Sequence, residues 1–246
     1  MPAAFGLPDS IRACLFDLDG VLTRTATVHF AAWKRTFDEF LRSHDPQAGE
    51  FTQADYNAYV DGRHRADGVR GFLVSRGIVL PEGTTGDPTD AATVQAIATR
   101  KNELVLRELE EHGVEVYEGS VRYLRAVKEA GLATAVVTAS ANGEHVIAAG
   151  GFADLIDVRI DGVVAGRDHL RGKPEPDTFV AGAKALGVPV TEAVVYEDAL
   201  SGVAAGRAGG FGFVVGVDRV GQAAALKENG ADVVVQDLAE LLEGKP

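Results

Sequence analysis

The stretch Ile11-Arg12-Ala13-Cys14-Leu15-Phe16-Asp17-Leu18-Asp19-Gly20 decides the fold. An apolar run over residues 11–16 stops abruptly at Asp17, and a second acid follows two residues on, before a glycine. Runs of the same kind recur at 132–137 (L-A-T-A-V-V), 192–196 (E-A-V-V-Y), 211–216 (F-G-F-V-V-G) and 232–235 (D-V-V-V). They are short, rich in β-branched residues and without alternation, the pattern of strands buried on both faces. Helical patterns separate the later runs, at about 118–130, 143–150, 174–186, 199–208 and 219–229. Strands alternating with helices predict an α/β fold with a doubly wound, Rossmann-like parallel sheet.

Between the first and second runs the rhythm breaks. Residues from about 25 to 108 carry no strand pattern. Phe30, Trp33, Phe37 and Phe40 recur at helical spacing, and 67–76 and 89–109 read the same way. The expected organisation is therefore a sheet domain, residues 1–24 and 109–246, with an inserted α-helical domain at 25–108. Its hinges are expected near Thr23–Thr25 and Glu111–Gly113.

The chain has 246 residues, 24 Lys and Arg against 36 Asp and Glu, and a formal net charge of -12. That balance argues against nucleic-acid or anionic-membrane partners, which need a basic face. A small anionic substrate stays open, because local cations or a metal override the global sign. The single cysteine, Cys14, excludes an internal disulfide and a Cys-rich metal site. No apolar run is long enough to span a bilayer. The opening M-P-A-A-F-G-L-P-D-S lacks the features of a signal peptide, so a cytoplasmic protein is expected.

In open α/β sheets ligands bind beyond the carboxyl ends of the strands. Asp17 and Asp19 follow the first run, Thr138-Ala139-Ser140 the second, and Glu197-Asp198 the third; Gly172-Lys173-Pro174 opens a helix. Asp17 and Asp198 offer hard oxygen ligands of the kind Mg²⁺ takes. A carboxylate such as Asp17 can attack phosphorus, and Asp19 is placed to exchange a proton. Thr138 can donate to a phosphoryl oxygen, and Lys173 can offset developing charge. Taken singly, each residue has a plainer reading: an N-cap for Thr138, a solvated turn for the acids, an exposed lysine for Lys173. Their joint occurrence at successive strand ends favours phosphoryl transfer. A dinucleotide-binding sheet would place G-x-G-x-x-G where this chain has D-L-D-G.

The motifs F-D-L-D-G-V-L-T (16–23), V-V-T-A-S (136–140), G-K-P-E-P-D (172–177) and V-Y-E-D-A-L-S-G (195–202) resemble the four signatures of the haloacid dehalogenase superfamily, in its Mg²⁺-dependent phosphotransferase branch. The resemblance implies Asp17 as nucleophile and Asp19 as general acid/base. It implies Mg²⁺ held by Asp17, the backbone carbonyl of Asp19 and Asp198, with Glu197 close by. An aspartate at position 19 argues against dehalogenases and phosphonatases, and the insert sits where one subgroup carries its cap.

Within that superfamily H-F-A-A-W-K (29–34), R-K-N (100–102) and T-A-S-A-N-G (138–143) are similar to the β-phosphoglucomutase family. This likeness implies conversion of β-D-glucose 1-phosphate to glucose 6-phosphate through a bisphosphate, with a sugar-phosphate phosphatase as the alternative and an inactive binding protein as a more distant one. It implies that His29 orients Asp19, that Trp33 shapes the sugar pocket, that Arg65 and Lys101 hold the distal phosphate, and that Ser140 and Asn142 contact phosphate on the sheet side. Trp33 also falls in an apolar stripe with Phe30 and Phe37, so core packing is a rival reading. Arg63 or His64 is an alternative ligand to Arg65. No obligate protein partner is implied.

Overall fold

The computed structural model describes residues 5–243, so the first four residues of the opening stretch lie outside it. Six strands form one sheet: β1 (Ala13–Phe16), β2 (Ala133–Val137), β3 (Val158–Ile160), β4 (Ala193–Glu197), β5 (Phe213–Val217) and β6 (Val233–Val235). Their order is β3-β2-β1-β4-β5-β6 and every pairing is parallel. This is the doubly wound order expected from the sequence, with β1 paired to both β2 and β4.

Alternation along β1 builds two cores, because successive side chains leave opposite faces of a strand. Ala13 and Leu15 join Ala135, Val137, Val195, Phe179 and Val203 in one apolar cluster. Phe179 belongs to α8 (Asp177–Ala185) and Val203 to α9 (Leu200–Ala208), so these helices cover that face. Cys14 and Phe16 leave from the other side. Phe16 stacks on Tyr196 at 4.4 Å between centroids, and the Tyr196 hydroxyl meets that of Tyr123 on α5 (Glu118–Glu129) at 2.8 Å. Burial pushes the Cys14 thiol up to about 12, so the lone cysteine is packing and not a reactive group.

Three details differ from the sequence expectation, the first being a short helix, α7 (Gly162–Arg167), where none is expected. Strand β3 carries no apolar run, because it has three residues with Arg159 in the middle and sits at the sheet edge. The helix expected at 219–229 is α10, Ala223–Glu228, and residues 218–222 form a turn instead.

The chain divides into two compact units, one reaching Arg24 and resuming at Val114, the other spanning Thr25–Gly113. The second contains α1 (Thr25–His44), a short α2 (Gln53–Asp55) running into a π-helical turn at Tyr56–Val60, α3 (Arg65–Ser75) and α4 (Val94–His112). Helix α2 starts with a capping box, Thr52 and Asp55 each satisfying the other's backbone amide. Thr93 caps α4 by accepting from the Ala96 amide, and Gly113 ends it at φ 74°. Phe37, Phe51 and Phe72 meet pairwise at 4.3–5.0 Å in its interior.

On the sheet unit the two connecting segments run side by side. Arg24 N donates to Glu115 O and Tyr117 N to Leu22 O, both at 2.9 Å, around an antiparallel bridge of Thr23 with Val116. Among the described residues no helix is long and apolar enough to cross a membrane.

Candidate active site

The sheet register assembles the first group of side chains. Phe16 lies level with both Val136 and Tyr196. One residue further, Asp17 and Glu197 therefore emerge side by side at the carboxyl ends of β1 and β4, about 5 Å apart across the ladder. The Asp17 amide donates to Tyr196 O at 2.9 Å, so the loop leaves the strand already paired.

Lys173 joins these two acids. Its ammonium donates to Asp17 Oδ1 at 2.5 Å, to Glu197 Oε1 and to the Val137 carbonyl. All three side chains are buried, which makes charge balance decisive. Burial alone would push Lys173 down, but Asp17 and Glu197 outweigh it, and its pKa stands above the ordinary lysine value. Burial raises Asp17 well above the usual aspartate range, Lys173 works against that shift, and Glu197 and Asp19 add to it. The second Glu197 oxygen accepts from the Ala199 amide at 2.8 Å, so both of its oxygens are occupied by the protein.

Asp19 has a different partner. Thr138 Oγ1 donates to Asp19 Oδ2 at 3.1 Å, while Thr138 itself accepts from the Ser140 amide and Ser140 Oγ from the Asn142 amide. The loop after β2 is thereby organised by its own hydroxyls, in front of α6 (Gly143–Ala149). The half-buried Asp19 thus faces a hydroxyl, and buried Asp17 faces an ammonium. Two carboxylates in one turn have different environments, the condition for different roles.

Oxygen atoms of Asp17, Glu197 and Asp198 all lie within 4.8 Å of one another. An all-oxygen carboxylate set this tight fits a hard divalent cation. Asp198 is placed by a close approach: a Cβ on Gly20, which has φ 100°, would come within 1.8 Å of Asp198 Oδ2. Only glycine fits there. Gly202 stands in the same relation to Glu197, at 1.8 Å from Oε1. Gly202→Ala is expected to lower stability by about 1–3 kcal/mol, since Glu197 is held on both oxygens and cannot swing aside freely. Urea unfolding tests this, and an unchanged midpoint would mean that Glu197 yields.

The helical unit brings together a second group. Lys101 Nζ meets His29 Nδ1 at 2.7 Å and lies 5.0 Å from the centre of the Trp33 ring. Trp33 stacks on Phe37 at 4.9 Å and is 3% exposed, which agrees with its packing reading. Lys101 is 2% exposed, so its ammonium is a buried partner of His29 rather than a solvated helix residue. Arg65 is the first residue of α3, with His64 at the N-cap making no side-chain cap bond; burial lowers the pKa of both. Arg63, the other alternative ligand, lies half-buried in the turn before them.

The sequence reading missed the turn after β5. Arg219 Nε donates to Gly20 O at 2.7 Å, and Gln222 Nε2 donates to Asp198 O at 2.9 Å. No local motif announces these contacts, because the partners lie far away along the chain.

The chain is similar to known proteins along most of its length. The sequence model described as haloacid dehalogenase-like hydrolase matches residues 11–210. A β-phosphoglucomutase of Mycobacterium bovis is 52% identical over 245 residues, covering 96% of this chain and 94% of that protein. A validoxylamine A 7'-phosphate phosphatase of Streptomyces hygroscopicus is 28% identical, covering 94% and 95%. The solved structure of a β-phosphoglucomutase from Clostridium difficile superposes with a TM-score of 0.75 at 26% identity, covering 94% of this chain and 93% of that one. The chain belongs to the haloacid dehalogenase-like hydrolase family.

Proposed function

We propose that the chain is a phosphotransferase of the β-phosphoglucomutase type, converting β-D-glucose 1-phosphate to glucose 6-phosphate through β-glucose 1,6-bisphosphate, with Mg²⁺ as its metal and the cytoplasm as its place. The supporting observation is the separation of two carboxylates on one turn, Asp17 against Lys173 and Asp19 against Thr138. The choice of sugar follows from the 52% identity to the mycobacterial protein of that name.

Asp17 is the proposed nucleophile. Its carboxylate oxygen forms a bond to phosphorus as the bond from phosphorus to the sugar oxygen breaks, leaving an aspartyl-phosphate. Asp19 gives its proton to the departing oxygen and, in the return direction, takes the proton of the sugar hydroxyl that attacks the aspartyl-phosphate. Thr138 and Ser140 donate to phosphoryl oxygens, Asn142 assists on the same loop, and Lys173 balances the charge on Asp17 through the step. Asp17, Asp198 and the Asp19 carbonyl are the proposed metal ligands, and Glu197 supports them through Lys173. Bound Mg²⁺ supplies charge neutralisation that lets a phosphate approach the acids. The helical unit is the proposed cap. Its proposed groups are His29, which orients Asp19, Arg65 and Lys101, which hold the phosphate that is not being transferred, and Trp33, which shapes the sugar pocket.

A phosphatase on the same scaffold is the second reading, supported by the 28% identical phosphatase. The two differ in what accepts the phosphoryl group from Asp17, a sugar hydroxyl or water. The deciding assay supplies β-glucose 1-phosphate, Mg²⁺ and a trace of the bisphosphate, and measures glucose 6-phosphate and free phosphate separately. Glucose 6-phosphate is expected to dominate, and free phosphate in excess of it would assign the phosphatase activity instead.

A further inference from the structure

We propose that the turn Asp218–Gln222, which carries none of the sequence motifs, fixes the spacing of the metal-bearing loops, with Arg219 and Gln222 as positioning residues. Arg219 reaches the loop after β1: Nε donates to Gly20 O at 2.7 Å and Nη2 to Val21 O at 3.3 Å. Gln222 reaches the loop after β4, donating from Nε2 to Asp198 O at 2.9 Å. These two loops touch where Gly20 abuts the Asp198 carboxylate. One short turn therefore grips both sides of that contact.

The turn is itself fixed. Asp218 Oδ1 accepts from the amides of Val220, Gly221 and Gln222 at 2.7–3.2 Å, and the Asp218 amide pairs with Val235 O. Gly221 adopts φ 79°. The Arg219 guanidinium lies 3.5 Å from the centre of the Tyr117 ring, its Nη1 donates to Gln236 O, and its side chain is 14% exposed. Tyr117 carries a second guanidinium, that of Arg24, at 4.5 Å. Asp237, at 3.7 Å, is the nearest acidic partner of Arg219, so most of its donors serve carbonyl oxygens. A guanidinium used in this way acts as a brace, with several donors set in a rigid plane.

Ligand spacing governs affinity for a small cation that demands near-ideal geometry, and groups behind the ligands tune it. This inference rests on reading Asp17 and Asp198 as ligands of Mg²⁺. Isothermal calorimetry of Mg²⁺ binding to the metal-free protein tests it, with Gln222→Ala and Gln222→Met as variants and Arg219→Lys as a third. Loss of one neutral hydrogen bond is expected to weaken Mg²⁺ binding about fivefold in both Gln222 variants. Arg219→Lys keeps the charge but loses the fork, and should weaken binding at least as much. Metal-free melting temperatures should fall by no more than about 4 °C. Unchanged Mg²⁺ affinity in the variants would overturn the inference, as would full recovery in Gln222→Met, which restores volume without a donor. A parent protein that binds no Mg²⁺ would overturn the metal reading itself.

Discussion

Asp17→Asn is expected to abolish turnover, by roughly ten-thousandfold or more, while leaving the protein folded. Loss of a covalent nucleophile is among the largest single effects known in enzymes. The folding half of the prediction follows from the electrostatics. Asp17 is buried beside Glu197 and near Asp19, bonded to the Lys173 ammonium, and burial drives its carboxyl toward the neutral form. An amide has the same shape and no charge to desolvate, and its oxygen can still accept from Lys173. The metal-free variant should therefore melt at or above the parent temperature. Acid quenching with phosphorus-labelled substrate checks the chemical half. The parent should carry label on protein and the variant none; labelled variant would rule out Asp17 as the group that is phosphorylated.

Lys173→Met is the second large effect, and it acts on both stability and rate. Lysine and methionine have similar lengths, so packing is nearly kept. The change instead strands two buried acids, Asp17 and Glu197, which both accept from Lys173. Removing one partner of a buried ion pair costs about 3–5 kcal/mol. Part of that loss is recovered when one acid takes up a proton, and a protonated Asp17 is a poor nucleophile. The metal-free variant should unfold at markedly lower urea concentration, and turnover should fall by roughly a thousandfold or more. Equal urea midpoints would show that the acids neutralise each other without Lys173.

Much of this architecture is legible in the sequence because the relevant signals are local. The run 11–16 is apolar without alternation because β1 is buried on both faces, and it stops at D-L-D-G where the strand ends. The helical unit is legible from Phe30, Trp33, Phe37 and Phe40, whose spacing fits the helix they occupy. Lys173 is legible as a candidate only through its place among the strand-end motifs; which acids it pairs with is not, because Asp17 is 156 residues away. The same reason hides the turn after β5, where Arg219 contacts Gly20 across 199 residues. Strand β3 is hidden differently. A three-residue edge strand is specified by pairing with β2, and Val158 and Arg159, both half-buried, leave no apolar signature. Trp33 illustrates a third limit. Its stripe position suits a core residue and a pocket wall equally, and neither the stack on Phe37 nor the approach of Lys101 is announced by the stripe.

The paired segments at Leu22–Arg24 and Glu115–Tyr117 carry a consequence for how such a molecule can be built. Because the chain leaves the sheet unit and returns to it at adjacent, hydrogen-bonded positions, everything from Thr25 to Gly113 is to the sheet merely a long excursion. The entropy of closing an excursion grows only with the logarithm of its length. The crossover from β1 to β2 is meanwhile completed by α5, which follows the return. The sheet is therefore nearly indifferent to the size and content of what is spliced in at this doorway. Under the proposed reading of the helical unit as a cap, selectivity is exchangeable there as a cassette while the groups on the sheet unit stay unchanged.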